Sequence, residues 1–194
     1  MTAISLATVR LVLRPWQPED VNPFSELCAG SLVMRWIGNG STRTPKECAK
    51  IIEIFDSAWA RDGFGLFAIE HRESRCFIGL CGLSVPEYLP EILPAVEIGW
   101  RLSQSSWGKG FATEAAQACV CFAFNQLELE RLLSIYQIGN EASARVMEKL
   151  GMTDYRSTID PSCGRPIRIC ELKRLRFTCP LSDHYDNCSG AIDS

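Results

Sequence analysis

Trp107-Gly108-Lys109-Gly110-Phe111-Ala112-Thr113 joins a strand-like run ending at Leu102 to a helical pattern that starts near Phe111. Gly108 and Gly110 remove side chains where backbone must come close to a ligand. The first N–H groups of the following helix have no partner inside it and point outward. With the helix dipole they make an anion site suited to a pyrophosphate. Thr113 adds a hydroxyl in the first turn, and Lys109 either reaches a phosphate as a point charge or is simply solvated. Two other phosphate loops fit less well. A Walker A loop needs glycine where Ser103 stands, and Ser or Thr where Gly110 stands. A dinucleotide fingerprint needs a third glycine at the position of Thr113. The glycines alone are equally consistent with an ordinary connection before a helix.

Working outward, Arg10-Leu11-Val12-Leu13-Arg14 alternates and stops at Pro15, which predicts a short first strand. Pro18-Glu19-Asp20 opens a helix with Val21, Phe24, Leu27 and Cys28 on its apolar side. A second helix starts at Thr44-Pro45-Lys46-Glu47, where Thr44 can cap and Pro45 suits the first helical position. From Gly65 the period changes: 66–70, 77–83 and 95–102 predict strands, and Pro86, Pro90 and Pro94 make 84–94 a loop. The long helix runs from about Phe111 to Leu127, with Ala112, Ala115, Ala116, Cys119, Val120, Ala123 and Leu127 inward. Leu132 to Ile138 is the next strand, 140–150 the next helix, and Ile167 to Phe177 the last strand. Two helices, an antiparallel-looking sheet, then strand–helix–strand–helix–strand predict one domain of α+β (mixed α/β) class over 1–177. The tail 178–194 is polar and aperiodic, as a disordered tail would be.

Composition bounds the function. Of 194 residues, 46% are hydrophobic and 22% charged, ordinary for a globular chain. The net charge of −3 gives no global positive field for nucleic acid. No segment approaches the ~20 apolar residues needed to span a bilayer, and the first ten residues lack a signal-peptide pattern. Ten cysteines stand at 28, 48, 76, 81, 119, 121, 163, 170, 179 and 188. None has Cys-x-x-Cys spacing and only His71 and His184 are available beside them, so no metal is expected. Most read as small buried residues, reduced in a cytoplasmic location, with Cys179 and Cys188 in the polar tail. A monomer and a homodimer are both open.

The phosphate stretch resembles the signature of the GNAT N-acetyltransferases, Gln/Arg-x-x-Gly-x-Gly/Ala, here Trp107-x-x-Gly110-x-Ala112. Residues 107–115 look like the variant found in the ribosomal-protein N-acetyltransferase subgroup. Trp107 departs from Gln/Arg, which leaves the amide cradle intact but no matching side-chain role. The resemblance runs over about 8–177 and takes in 10–16, Phe77-Ile78-Gly79, Val96-Glu97-Ile98-Gly99-Trp100 and Asn140 to Met152. It implies a GNAT-like acyl-CoA N-acyltransferase fold: a central, mostly antiparallel sheet flanked by helices. Strand 96–102 would splay from strand 132–138 to form the CoA cleft. Acetyl-CoA would be the co-substrate, held by Trp100, Arg101, Leu102, Trp107, Gly108, Lys109, Gly110, Phe111, Ala112, Thr113, Asn140, Ser143 and Arg145. Read from the residues alone, Asn140 is a helix cap, Gly151 a helix stop, and Ala142, Val146, Met147 and Leu150 a buried stripe.

Acetyl transfer needs a neutral amine, a polarised thioester carbonyl and a route for a proton. A backbone N–H near Ile98 or Gly99 is the expected polariser. Glu97 is the general-base candidate, against the alternative of a solvated strand residue or ion-pair partner. Many family members carry a tyrosine acid where this chain has Met147, and Ser143 is the remaining candidate for handling the thiolate. Tyr136 is expected to be structural and His71 to face solvent. The acceptor would be a primary amine, either a protein N-terminal α-amine or a small molecule. A non-catalytic acyl-CoA sensor and an unrelated phosphate-binding module are the rival readings.

Overall fold

The computed structural model describes residues 4–177; Cys179, Cys188 and the rest of the 178–194 tail lie outside the described residues. The chain builds one eight-stranded sheet in the order β1-β2-β3-β4-β5-β6-β8-β7. The strands are β1 (Leu6–Ala7), β2 (Leu11–Arg14), β3 (Leu66–His71), β4 (Phe77–Ser84), β5 (Glu97–Leu102), β6 (Arg131–Gln137), β7 (Thr153–Ile159) and β8 (Pro166–Lys173). Every neighbouring pair is antiparallel except β5 and β6, which run parallel. The helices are α1 (Val21–Ala29), α2 (Ser31–Met34), α3 (Pro45–Asp62), α4 (Phe111–Asn125) and α5 (Glu141–Lys149).

Local sequence explains the helix starts. Thr44 and Glu47 form a reciprocal capping box ahead of Pro45, and Gly63 ends α3 at φ 76°. Strand alternation then sorts the core onto two faces. Phe67 and Ile69 of β3 turn to one side, where α4 lies, and Ala68 turns to the other, beneath α1 and α3. The contact face of α4 is built of Ala115, Ala116, Cys119 and Ala123, small side chains that let the helix lie close on β4 and β5. The opposite face packs Trp16, Phe24, Cys28, Met34, Cys48 and Leu80. The ion network of Arg14 with Asp20 and Glu70, at 2.7 and 2.9 Å, fastens β2 to β3 and to the start of α1.

Four elements depart from the sequence expectation, the first being α2, a short helix between the two expected before the sheet. β1 adds a two-residue strand before the predicted first one. The predicted last strand, 167–177, ends at Lys173 and gives way to a 3-10 turn. The chain also inserts β7, which pairs with β8 at the sheet edge. β7 reads Thr-Asp-Tyr-Arg-Ser-Thr-Ile and is exposed along nearly its whole length, so it lacks the apolar alternation that marks a half-buried strand.

Candidate active site

The phosphate stretch takes the shape its glycines permit. Gly108 and Gly110 adopt φ of 74° and 82°, which L side chains rarely occupy. Gly110 is the N-cap of α4 and offers no side-chain cap. The first intrahelical bond runs from the Glu114 N–H to the Gly110 carbonyl at 3.0 Å. The N–H groups of Phe111, Ala112 and Thr113 are thus left for an anion. Trp107 donates its indole N–H to the Leu102 carbonyl at 2.9 Å and pegs the loop to the end of β5. From behind, Arg10 donates to the Lys109 carbonyl at 2.9 Å and pairs with Glu114 at 2.6 Å, while its guanidinium covers the Phe111 ring at 4.7 Å.

β5 and β6 meet at a single point. Their one bridge is Glu97 with Leu133, secured by the Leu133 N–H on the Val96 carbonyl at 2.9 Å. One residue further the side chain of Ser134 takes the Ile98 carbonyl at 2.8 Å, and from there the strands part. The ladder on the other side fixes which amides face the gap. Ser103 donates to Ile78 across β4, so alternation turns the Gly99 N–H toward β4 and the Trp100 N–H toward the opening. The sequence reading placed the carbonyl-polarising donor near Ile98 or Gly99; the register turns the Gly99 N–H away and leaves those of Ile98 and Trp100 on the side of the gap, with Trp100 beyond the point where the strands part.

Two cavities meet at this opening. The first, about 320 Å³, is lined by Trp100, Arg101, Leu102, Trp107, Gly108, Gly110, Phe111, Ala112, Thr113, Asn140, Ser143 and Arg145. Those are twelve of the thirteen residues expected to hold CoA; Lys109 is the exception, with its carbonyl engaged by Arg10. The second, about 330 Å³, holds Glu97, Gly99, Tyr88, Tyr136, Met147 and Asp160. Trp36, Ile37, Trp100, Arg101, Asn140 and Ser143 line both. Leu32, Val33, Trp36 and Ile37, from α2 and the turn after it, were not read from the sequence as site residues. Nor were Tyr88 and Asp160, which come from loops with no motif of their own.

The charged groups differ sharply in state. Burial lifts the Glu97 carboxyl to about 8; the neighbouring Ile135 N–H acts against this and the charge of Asp160 adds to it. Asp160 is itself disfavoured by burial, yet its bonds from the Ser162 N–H (2.8 Å) and hydroxyl (2.6 Å) leave it below the usual carboxylate range. Burial, with Glu97 and Asp160 nearby, raises the Tyr88 phenol and keeps it protonated. Asn140 caps α5 through the Ser143 N–H at 3.3 Å and donates its own amide to the Ser143 hydroxyl at 3.0 Å. The Ser143 O–H therefore keeps its proton free to donate. Met147 is buried against the second cavity and has no proton to give. His71 ends β3, bonds Ser74 at 3.0 Å and lines neither cavity.

Among the described residues no group of three or more His, Cys, Asp or Glu side chains gathers to hold a metal. No described helix is long and apolar enough to cross a membrane.

The profile of the acetyltransferase (GNAT) domain matches residues 10–153. The chain is 37% identical to YkkB of Bacillus subtilis over 57% of its own length and 62% of YkkB, so it spans under two thirds of that relative. It is 33% identical to YdaF of Bacillus subtilis, named as a candidate ribosomal N-acetyltransferase, over 74% of this chain and 78% of that one. It is 39% identical to the FsC-acetyl coenzyme A-N(2)-transacetylase of Aspergillus fumigatus, over 77% of this chain and 65% of the other. Among solved structures, a GNAT-family acetyltransferase from Bacillus anthracis superposes with a TM-score of 0.75 at 22% identity, covering 89% of this chain and 99% of that one.

Proposed function

The chain belongs to the GNAT acetyltransferase family, and on that premise we propose that it moves the acetyl group of acetyl-CoA to the α-amine of an acceptor by direct attack. The observation that carries this reading is the meeting of two cavities where β5 leaves β6. One runs to the uncapped start of α4, and the other holds a carboxyl poised near neutral pH.

The residues divide the work. The amides of Phe111, Ala112 and Thr113 hold the pyrophosphate, and Gly108 and Gly110 let it approach. Asn140 and Ser143 flank the pantetheine arm, and the thioester carbonyl accepts from the Trp100 N–H. The neutral amine attacks the carbonyl carbon as the C–S bond breaks. Glu97, directly or through a water, takes the proton lost by nitrogen, and the Ser143 hydroxyl, which lines both cavities, is the candidate donor to the departing thiolate.

An α-amine suits this site. Its pKa of about 7.7–8.0 leaves a substantial fraction neutral near pH 7, against about 10.4 for a lysine side chain. One relative is named as a candidate ribosomal N-acetyltransferase and another for N(2) transacetylation, which supports a nitrogen acceptor. A panel of amines with CoA release and product mass as readouts tests the proposal. Acceptors with a free α-amine should turn over fastest, whether peptides or small molecules. CoA release with no amine in the panel would overturn catalysis in favour of an acyl-CoA-binding regulator.

A further inference from the structure

Arg101 is a cation held in the site without a counter-ion. It stands two residues beyond Gly99 on β5, so its side chain leaves the sheet on the same face as Glu97. Its Nη1 lies 3.6 Å from Cys28 Sγ and 3.8 Å from Met34 Sδ. Neither sulfur balances the charge. Burial pushes the Cys28 thiol up to about 11, Arg101 lowers it and Cys48 raises it further, so the thiol keeps its proton near pH 7. The Nε of Arg101 is buried with no hydrogen-bond partner. Among the described residues no carboxylate pairs with it. A second cation, Arg43, lies near enough to oppose its charge.

A guanidinium does not give up its proton in a protein, and buried charges are ordinarily paired. A carboxylate brought by a ligand into these cavities would supply the missing partner. Arg101 lines both cavities where they meet, and Gly99 beside it leaves open space on that face. The carboxyls of Glu97 and Asp160 face the second cavity as well, with Glu97 about 13 Å away along the strand. The cavity is therefore bipolar, with a proton-accepting pole and a cationic one.

We infer that Arg101 is the docking group for a carboxylate carried by a substrate of this site, the first source being an acceptor amine that is also an acid. This rests on the acetyl-transfer reading and narrows its substrate class. The acyl chain of the thioester enters the same junction, so a carboxylate at the end of an acyl group is the second source of the same chemistry.

Matched pairs separate the possibilities. Seryl-alanine and seryl-alanine amide share an α-amine and differ at the carboxylate; kcat/KM for each is measured with acetyl-CoA. Succinyl-CoA and butyryl-CoA, with the amide as acceptor, form the second arm. The wild type should prefer the acid by about 10- to 100-fold in one arm, the range expected when a buried charged donor loses its acceptor. A preference in the first arm places the carboxylate on the acceptor, and in the second on the acyl group. Arg101→Met should bring that ratio close to one. It should not lower the melting temperature of the free protein, because an unpaired, partly buried charge is replaced by an apolar chain of similar length. A lower melting temperature with the ratio unchanged would make Arg101 structural. Equal rates for acid and amide in both arms of the wild type would overturn the inference with no variant needed, and would leave acetyl transfer standing. Thermal shifts with the same pairs read binding even if no acetyl moves, and equal shifts would overturn it there too.

Discussion

The Arg10 guanidinium lies 2.6 Å from the Glu114 carboxylate and ties the N-terminal strands to the first turn of α4. Thr8 donates to the same carboxylate at 2.6 Å and the Arg10 N–H at 2.9 Å. Burial alone would raise the Glu114 pKa, but these donors and the Arg10 charge outweigh it and hold it below the usual range. A negative charge that would oppose a bound pyrophosphate is thus neutralised from outside the cleft.

Arg10→Gln should therefore weaken CoA binding several-fold without removing any group that lines the cleft. Adding Glu114→Gln should restore part of the loss, because it removes the exposed charge. Calorimetric titration of the three proteins with CoA checks this. Equal affinities in wild type and single variant would strike the clamp from the account.

Gly110→Val should lower both stability and CoA affinity, the second more. A β-branched residue at φ 82° is strained by roughly 1–2 kcal/mol. Its Cβ would have room, 3.4 Å from Arg10 Nη2, so the fold should survive. The branched side chain would still stand over the amides meant for phosphate. Urea melts and CoA titrations on the same protein separate the effects; an unchanged dissociation constant would reduce Gly110 to a turn residue.

The parts legible in the sequence were those with local causes. The Thr44 and Asn140 caps act within a few residues and stand as read, and the two glycines before α4 take a left-handed backbone that glycine favours. β7 was invisible because an exposed edge strand needs no apolar period. The side chain of Arg101 was read with the CoA residues, but its depth and its sulfur neighbours on α1 and α2 depend on packing across the sheet. Asp160 is 63 residues from Glu97, and only the fold brings its charge to bear.

Glu97 gives two coupled predictions. A carboxylate and a neutral amine are both required, with Glu97 near 8 and an α-amine at about 7.7–8.0. Below pH 7, log kcat/KM should rise with a slope near two in the wild type and near one in Glu97→Gln. The variant should also be slower by about 100- to 10,000-fold above pH 8. Superimposable profiles would remove Glu97 from the mechanism.

The stability of the free protein should carry the opposite sign from an ordinary surface carboxylate. The folded pKa of Glu97 is raised, so the folded state holds the proton more tightly and stability is lost as pH rises from about 4.5 through about 8. Glu97→Gln should cancel that loss and melt higher than wild type at pH 8 and above, each kcal/mol recovered giving roughly 2–4 °C. A variant that melts lower at pH 9 would show that the carboxylate is stabilised rather than strained.

Acetyl-CoA at about 100 times its dissociation constant should add roughly 2.7 kcal/mol to the native state. In a chain of this size that is a rise of about 5–10 °C. CoA should act similarly and ATP far less, because the cleft continues past the phosphate cradle to Asn140 and Ser143. An equal response to ATP would favour a general nucleotide site.

The most direct test of acetyl transfer to an α-amine uses one peptide bearing a free N-terminus and one lysine. It is incubated with the enzyme and acetyl-CoA, and tandem mass spectrometry locates the acetyl group while CoA release is followed. A single acetyl group on the N-terminal nitrogen, with one CoA released per product, is the predicted result; acetylation of the lysine alone would contradict it.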